Sequence, residues 1–416
     1  MKNASWLISG RIFQMIISLV VSILTTRYLG PSNYGLISYG SAYVSFFTAL
    51  CTLGLNSIIV KELLDHPEEQ GENIGSCLML RFASSVISSI MMISLSFCLD
   101  SGETTTIKVV ALCSLSPIFH IFEIFNFWFQ SQYKSKLTAI ATLVAYIFTS
   151  IYKIILLLLG KNVFWFAFAT SFDYIILAIF LFIFYKKNKG PKLSFSLKKS
   201  KYLLKKSYHY ILSGLMVVIY SQTDKLMIKQ MINEEEVGYY SIAIAICMMW
   251  TFVLQAIIDS IYPTILKLKN VNEEQYKTKN RQLYCIVFYI SLVVSICFTI
   301  FGKLIVFILY GKEFISAVPI LRIVTWYIAF SYLGVARNAW IVSEGKQNKL
   351  KYLYAFAAVI NVIFNFILIP ILGAAGAAIA SLLAEMMISL ILPLFSKDLR
   401  ENAVLMLEAI CFRKVK

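Results

Sequence analysis

The chain has 416 residues, of which 59% are hydrophobic and only 14% are charged, and its formal net charge is +16. Soluble globular domains contain about 45–50% apolar residues, so this composition excludes a soluble globule and indicates a protein of the lipid bilayer. Nucleic-acid binding is also excluded as the reason for the basic excess, because the lysines flank apolar segments and no folded module presents them.

Apolar stretches long enough to cross a bilayer recur along the whole chain. One crossing needs roughly 20 residues at about 1.5 Å per residue. We therefore predict an all-α integral membrane protein with about twelve transmembrane helices. In chain order, the predicted spans are Trp6–Leu29, Tyr34–Val60, Ile74–Leu99, Ile107–Phe129, Leu137–Leu159, Val163–Tyr185, Tyr208–Ile232, Val237–Tyr262, Leu283–Phe301, Phe314–Val342, Leu350–Leu372 and Ala374–Phe395.

Basic residues set the predicted orientation. Most of the 38 Lys and Arg residues fall in connections on one side of the predicted bundle, and that side also holds both ends of the chain. Because such residues collect in cytoplasmic loops, we predict that both termini are cytoplasmic. Nine lysines lie between Lys186 and Lys206, where the sixth span meets the seventh. Membrane lipids with anionic headgroups are a predicted partner of these cations.

One motif occurs twice at a long offset, which indicates an internal duplication. Each half contains six spans, an even number, so the repeat is parallel and its pseudo-twofold axis is expected to run along the membrane normal. We interpret the motif as architectural, because both copies fall at predicted cytoplasmic helix ends. The first copy is Asn126, Trp128, Ser131 and Lys134, which returns 212 residues later as Asn338, Trp340, Ser343 and Lys346.

The duplication predicts the domain organisation. Residues 1–187 form an amino-terminal lobe of six helices, and residues 208–396 form a second such lobe. Between the lobes, residues 188–207 are expected to be a basic cytoplasmic linker. Residues 397–416 are expected to be a cytoplasmic tail.

Ionisable residues inside the spans are the candidate functional residues. A charge at the bilayer centre costs at least about 2.5–3.5 kcal/mol, so it needs a partner, a wet cavity or a substrate. Cations favour an anionic cargo such as a diphosphate, which Arg can bind with a planar fork and Lys as a point charge. The predicted substrate-binding residues are Arg11, Arg81, Lys153, Lys225, Arg322 and Arg337.

Acidic residues in the spans are candidates for binding a coupling ion. These are Asp224, Glu123 and Asp259. Glu123 follows His120 by three residues, which fits either a proton relay or a satisfied buried pair. Asn361 and Asn365 share a helix face, where their amides can bond to other helices. The sequence indicates neither a metal site nor a cofactor.

Two segments carry a resemblance to a known family. Residues 27–35, RYLGPSNYG, and residues 361–385, NVIFNFILIPILGAAGAAIASLLAE, are similar to those of the Wzx-type O-antigen flippases and polysaccharide exporters. These proteins belong to the multidrug/oligosaccharidyl-lipid/polysaccharide superfamily. The resemblance implies that an undecaprenyl-diphosphate-linked oligosaccharide is moved from the cytoplasmic to the periplasmic leaflet of a bacterial inner membrane, through an alternately opening cavity with basic lining. It further implies other polysaccharide-assembly proteins as partners.

Two other functions stay open at this stage. A multidrug or cation antiporter of the same superfamily would be expected to hold its cargo with acids, yet the first span contains Arg11 and no acid. A polytopic polysaccharide polymerase would need a sizeable external loop, and the predicted periplasmic connections are short. No Gly-Lys pair has the flanking residues of a phosphate-binding loop. Coupling is therefore expected to come from the membrane potential or from a proton or sodium gradient.

Overall fold

The structure is a computed structural model that describes residues 2–413, with the side chains of residues 17–212 and 214–413. This part of the chain is helical and contains no strand, which confirms the predicted all-α fold. Its α-helices are α1 Lys2–Cys51, α2 Asn56–Asp65, α3 Gln70–Leu99, α4 Thr104–Cys113, α5 Ser116–His120, α6 Ile124–Ser131, α7 Ser135–Leu158, α8 Val163–Lys187, α9 Leu197–Met231, α10 Glu234–Met248, α11 Thr251–Leu268, α12 Glu273–Tyr310, α13 Ala317–Ser343, α14 Leu350–Leu372, α15 Ala374–Met386, α16 Leu392–Phe395 and α17 Arg400–Ile410. Short 3-10 turns lie at Pro67–Glu69, Ile121–Glu123, Lys312–Phe314 and Gln347–Lys349, and a π-helical turn lies at Met387–Ile391.

Eleven stretches among the described residues are long and apolar enough to cross a bilayer. The first, Ile17–Asp65, has 49 residues, about twice what one crossing needs, and it covers residues 17–29 of the first predicted span and the whole of the second. These two spans are joined through α1, which kinks at Gly30, where φ is 71° and ψ is 174°. Glycine adopts this backbone conformation at no steric cost. Each of the other stretches coincides with one predicted span, wholly or in part.

Three predicted spans are interrupted, which corrects their expected continuity. The second span breaks at residues 52–55 and the fourth at residues 114–115. The eighth breaks at Met249 and Trp250, between α10 and α11. Gly54, with φ of 65°, accounts for the first break, and Pro117, which lacks an N–H at the start of α5, accompanies the second. The third break has no comparable signal in the sequence.

Contacts divide the chain into two compact units, residues 1–222 and 223–416. Their boundary lies inside α9, beyond the predicted linker of residues 188–207. In the first unit, one apolar core cluster includes Phe125, Trp128 and Leu203, and in the second, another includes Tyr284 and Trp340. Because Leu203 is fully buried in the first cluster, part of the predicted linker packs as core. The predicted lobe bounds at residues 187, 208 and 396 stay a prediction.

Residues 190–196 form a strap across the amino-terminal turns of α3. The Ser194 N–H donates to the Gly71 carbonyl at 3.2 Å, and the Ser196 N–H donates to Ser76 Oγ at 3.1 Å. The strap lies so close to α3 that a Cβ placed on Gly75 would come within 2.3 Å of the Ser194 carbonyl oxygen. Immediately after the strap, Lys199 forms an ion pair with Glu69. The strap and the start of α9 are therefore fixed to the first unit.

The two copies of the repeated motif end their helices in the same way. In each copy the Ser hydroxyl donates to the Trp carbonyl at 2.8 Å, Ser131 to Trp128 and Ser343 to Trp340. The motif Lys N–H then donates five residues back, at 2.8 Å in the first copy and 2.9 Å in the second. A left-handed residue precedes each Lys, Tyr133 in one copy and Gly345 in the other. This pattern is a Schellman helix end.

The motif lysines tie these helix ends to later parts of their own units. Lys134 Nζ lies 3.3 Å from Asn188 Oδ1, just after α8. Lys346 Nζ donates to the Asp398 carbonyl at 2.8 Å, between α16 and α17. Both contacts join the end of a fourth span of a half to the end of its sixth. They support the architectural interpretation of the motif.

A side chain from the first turn of α10 caps a distant helix in the second unit. Glu236 Oε2 accepts a hydrogen bond from the Ala374 N–H at 3.0 Å, at the first residue of α15. Helix amino termini have unpaired N–H groups and a partial positive charge, so a carboxylate is a favourable cap. The cap fixes the start of the last predicted span to residues 138 positions earlier.

We expect Gly75→Ala to destabilise the strap, because its new methyl group would collide with backbone rather than with a movable side chain. Overpacking of this kind costs typically about 1–3 kcal/mol. Limited proteolysis within residues 190–196 and the thermal unfolding midpoint of the purified protein should both report the loss. Gly302→Ala is the matched control, because its Cβ would meet Leu321 at an ordinary 3.5 Å. Equal protease resistance in the two variants would contradict the role of the close approach.

Candidate functional site

Five of the six predicted cations have described side chains, and these fall into three environments. Arg11 lies outside the residues whose side chains the structure describes. Arg81 and Arg337 are buried, with 1% of each side chain exposed. Lys153 and Lys225 are partly buried, whereas Arg322 is exposed. Arg81 and Lys153 belong to the first unit, and Lys225, Arg322 and Arg337 belong to the second.

Arg81 lies inside the first unit, where α2, α3 and α6 contribute its neighbours. Its Nη2 donates to Asn56 Oδ1, and its guanidinium carbon lies 5.9 Å from the centre of the Phe127 ring. Among the described residues, its Nε and Nη1 atoms have no hydrogen-bond partner. Electrostatic attraction from Glu123 compensates part of its charge. Two buried donors thus remain available for an acceptor.

Glu123 lies with His120 beside a small cavity of the first unit. His120 Nε2 and Glu123 Oε2 are 3.2 Å apart. The Tyr174 ring meets the imidazole edge-on, with ring centres 5.3 Å apart. These three residues and five apolar or aromatic side chains line a cavity of about 20 Å³. The arrangement fits both sequence interpretations, because a buried pair beside a cavity can also exchange a proton.

Lys153 has an acidic counterpart in its own unit. Asp173 attracts it electrostatically, and Asp173 Oδ1 accepts a hydrogen bond from Thr149 Oγ1 at 2.9 Å. Thr149 and Lys153 are one turn apart on α7, and Asp173 lies on the neighbouring α8. The Asp173 carboxylate therefore compensates part of the charge of Lys153.

Arg337 has a comparable counterpart in the second unit. Glu385 attracts it electrostatically, and Arg337 Nη1 donates to the Ile388 carbonyl at 2.6 Å. Ile388 belongs to the π-helical turn Met387–Ile391, and such turns occur frequently at functional sites. Ser389, in the same turn, donates its hydroxyl to Glu385 at 2.9 Å. The turn therefore brings a carbonyl and a hydroxyl to the charge pair.

Arg322 and Asp259 are the exposed members of the predicted set. Arg322 Nε donates to the Thr299 carbonyl at 3.0 Å, from α13 to α12. Asp259 Oδ1 accepts from Gln255 Nε2 at 2.9 Å, one turn earlier on α11. Neither side chain is enclosed within its unit. Of the charged candidates in the second unit, these two can change charge with the least effect on packing.

Asp224 is the most extensively hydrogen-bonded acid of the predicted set. It is 3% exposed and accepts hydrogen bonds from three helices. Asn365 Nδ2 donates to its Oδ1 at 2.6 Å, and Ser381 Oγ donates to its Oδ2 at 2.6 Å. The Tyr240 hydroxyl is the third donor. Lys225, the next residue on α9, brings a positive charge near the cluster.

A second layer of polar contacts surrounds Asp224. Asn361 Nδ2 donates to Ser381 Oγ at 3.0 Å, and Asn365 Nδ2 lies 3.1 Å from Asn361 Oδ1. Asn365 Oδ1 is buried and has no hydrogen-bond partner among the described residues. Carboxylate, amide and hydroxyl oxygens are ligands for hard cations, and the carboxylate can also bind a proton. We call Asp224, Tyr240, Asn361, Asn365 and Ser381 the Asp224 cluster.

Sequence reasoning found some members of these sites and missed others. The spacing of Asn361 and Asn365 predicts interhelical bonds, and the structure contains them. Ser381 and Tyr240 were missed, because single hydroxyls in apolar spans are common. Asp100 was missed because it follows a span; it is buried and accepts hydrogen bonds from Tyr39 and Ser96 at 2.9 and 2.8 Å.

The fold is similar to those of solved transporters. The lipid II flippase MurJ in an inward closed conformation matches with a TM-score of 0.74 at 16% identity, covering 98% of this chain and 91% of that one. An inward-facing multidrug resistance MATE family transporter of the MOP superfamily matches with a TM-score of 0.71 at 15% identity, covering 90% and 93%. Both are transporters or flippases, and neither is an enzyme. Together they identify the helical fold as a membrane transporter fold.

Two known proteins match the sequence over most of their length. The capsular polysaccharide biosynthesis protein CapF of Staphylococcus aureus is 21% identical over 398 residues, covering 92% of this chain and 96% of that protein. A putative O-antigen transporter of Shigella dysenteriae is 24% identical over 271 residues, covering 64% and 67%. The family described as "Polysaccharide biosynthesis protein" matches residues 1–269. The chain therefore belongs to the polysaccharide biosynthesis protein family.

Proposed function

We propose that the chain is a flippase for a lipid-linked oligosaccharide. Its cargo is an undecaprenyl-diphosphate-linked repeat unit of O-antigen or a related polysaccharide, moved from the cytoplasmic to the periplasmic leaflet of a bacterial inner membrane by alternating access. Both chain ends are cytoplasmic. Proteins that build and assemble the polysaccharide are its partners.

Family membership over residues 1–269 is the observation that carries this proposal. Two further observations support it. The fold is similar to that of a lipid II flippase, and one sequence relative is described as a putative O-antigen transporter. The similar MATE fold is equally compatible with a multidrug antiporter. The fold therefore does not distinguish the two functions, and the charge of the intramembrane residues has to distinguish an anionic from a cationic cargo.

Basic side chains favour an anionic cargo. Arg322 is exposed and makes one hydrogen bond to a backbone carbonyl, so most of its guanidinium donors are available to a phosphate. Arg81 keeps two buried donors without a partner among the described residues. Asp173 compensates part of the charge of Lys153, and Glu385 compensates part of the charge of Arg337. We therefore place the diphosphate contact at Arg322 first, with Arg81 and the other predicted cations as further contacts.

The Asp224 cluster is the proposed site of ion coupling. Its oxygen atoms come from four helices, α9, α10, α14 and α15, so binding and release of a cation or proton can change how these helices pack. The buried, unpaired Asn365 Oδ1 supports a role as an additional ligand. Glu123 is a second candidate, and Asp259 a third. An inside-negative potential also favours outward movement of an anion, by about 2.3 kcal/mol per charge per 100 mV.

Deletion of the gene tests the cargo directly. We expect the lipid-linked oligosaccharide to accumulate on the cytoplasmic face, because its synthesis continues while its transfer stops. Extraction of lipids from inverted and right-side-out membrane vesicles, with and without a glycosidase, measures the leaflet that holds the sugar. An unchanged surface polysaccharide and no accumulated intermediate would rule out the flippase proposal. Altered drug sensitivity alone would favour the antiporter.

Arg322→Gln tests the proposed diphosphate contact. We expect at least a tenfold lower transport rate in vesicles that contain the purified protein, because a hydrogen bond to a charged group contributes about 1.5–3 kcal/mol. Lys303→Gln is the matched control, since Lys303 is also exposed and lies one turn from Thr299 on α12. Equal rates in the two variants at equal protein level would remove Arg322 from the proposed site.

Asp224→Asn tests ion coupling. The variant keeps the shape of the side chain but removes its charge, so we expect the transport rate to stop responding to a sodium or proton gradient. The comparison is Asp259→Asn, which makes the same chemical change at an exposed position and should leave that response intact. Transport is measured in vesicles with each gradient imposed separately. An unchanged response in Asp224→Asn, with a loss in Asp259→Asn, would move the coupling site to α11.

A further inference from the structure

A basic groove lies between the amino-terminal turns of α12 and helix α17, in the second unit. Its volume is about 420 Å³. Four cations and two carboxylates line it, with two apolar residues of α17. The lining consists of Lys277, Arg281, Lys397, Arg400, Glu401, Val404, Leu405 and Glu408.

The charges of the groove are only partly compensated. Lys277 Nζ lies 3.0 Å from Glu401 Oε1, and Arg281 Nε lies 2.6 Å from Glu408 Oε2. Lys397 and Arg400 are exposed, and no ion pair or hydrogen bond joins either side chain to another described residue. The groove therefore presents two unpaired cations beside two paired ones. An anion is the ligand that these charges favour.

Neighbouring acids do not neutralise the unpaired cations. Asp398 follows Lys397 in sequence, but it forms an ion pair with Lys349 at 2.6 Å. The Lys349 ammonium lowers the pKa of the Asp398 carboxyl below its ordinary value. Asp398 is thus ionised and engaged elsewhere at neutral pH, and it does not line the groove.

The groove lies at the depth of lipid headgroups. Lys397 comes two residues after Phe395, the end of the last apolar stretch. On the other wall, Lys277 and Arg281 precede the predicted apolar segment that begins at Leu283. Two to six helical residues correspond to roughly 3–9 Å, and each headgroup layer is about 5–8 Å thick. Both walls therefore adjoin the hydrocarbon edge on the predicted cytoplasmic side.

Apolar side chains next to the cations favour a lipid over a soluble anion as the ligand of the groove. Val404 is 41% exposed and Leu407 is 38% exposed, one turn apart on α17, and Phe395 is 83% exposed. A soluble phosphate gains nothing from these groups. The glycerol and acyl carbons of a phospholipid can cover them while its phosphate meets the cations. An interfacial helix with a basic and an apolar surface binds anionic membranes in this way.

We infer that this groove binds the phosphate of an anionic phospholipid from the cytoplasmic leaflet. Arg400 offers its planar fork and Lys397 a point charge to the phosphate, while Val404 and Leu407 contact the carbons below it. Lys277 and Arg281 stay in their ion pairs and hold α17 against α12. The bound lipid is a resident neighbour of the helix, distinct from any transported cargo.

The test uses the full-length protein, purified in detergent and titrated with phosphatidylglycerol, with retained lipid counted by native mass spectrometry. The variant is Lys397→Gln/Arg400→Gln. We expect at least a tenfold loss of affinity, since each cation near an anionic surface contributes roughly a fivefold gain. The matched control is Lys198→Gln/Lys201→Gln, which removes two exposed cations from α9. This control should bind as the unchanged protein does.

Further ligands and variants decide the source of the phosphate. Zwitterionic phosphatidylcholine should be retained weakly, and sn-glycerol 3-phosphate should not displace phosphatidylglycerol. Glu401→Gln should raise the affinity, because it removes a groove carboxylate, and this variant provides a readout that a folding defect cannot imitate. Equal losses in the two double variants, or displacement by glycerol phosphate, would overturn the inference.

Discussion

A charge inside an apolar span must be compensated close by, and this constraint organises the polar chemistry of both units. In the first unit, Glu123 attracts Arg81 and Asp173 attracts Lys153. In the second, Glu385 does so for Arg337. Removing the acid would leave each cation without this attraction inside an apolar span. The pairs thus act as packing elements as well as candidate contacts.

This compensation changes how intramembrane cations should be interpreted as contacts for an anionic cargo. A count of basic residues suggests a single positively charged lining, whereas in each unit a carboxylate lies near enough to attract a buried or half-buried cation, and one arginine is exposed. A cation that is already paired attracts an anionic cargo less than an unpaired one. The groove at α12 and α17 presents two such unpaired cations, Lys397 and Arg400.

Hydropathy predicted most of the fold, because a bilayer-crossing helix must be about 20 apolar residues long. It failed where helices break without leaving the membrane-spanning region. Gly54 and Pro117 mark two of these breaks, but Met249 and Trp250 interrupt α10 and α11 with no local signal.

The candidate sites were predictable to a lesser degree. Intramembrane charge identified Asp224, and helical spacing placed Asn361 and Asn365 on one face. The two hydroxyl groups that complete the cluster could not be found this way, because a Ser or Tyr in a span usually bonds to its own backbone or lies at the interface. Only the approach of four helices shows that Tyr240 and Ser381 share one carboxylate. Long-range proximity of this kind leaves no periodic pattern in the chain.

The cap between Glu236 and Ala374 has a consequence for the order of membrane insertion. The chain is made from its amino end, so Glu236, which directly precedes the predicted eighth span, is made before α15. The first N–H groups of α15 would otherwise enter a poorly hydrating environment without an acceptor. The Glu236 carboxylate supplies this acceptor when the start of α15 packs beside it. The cap can therefore form only once every helix from α10 to α15 has been made.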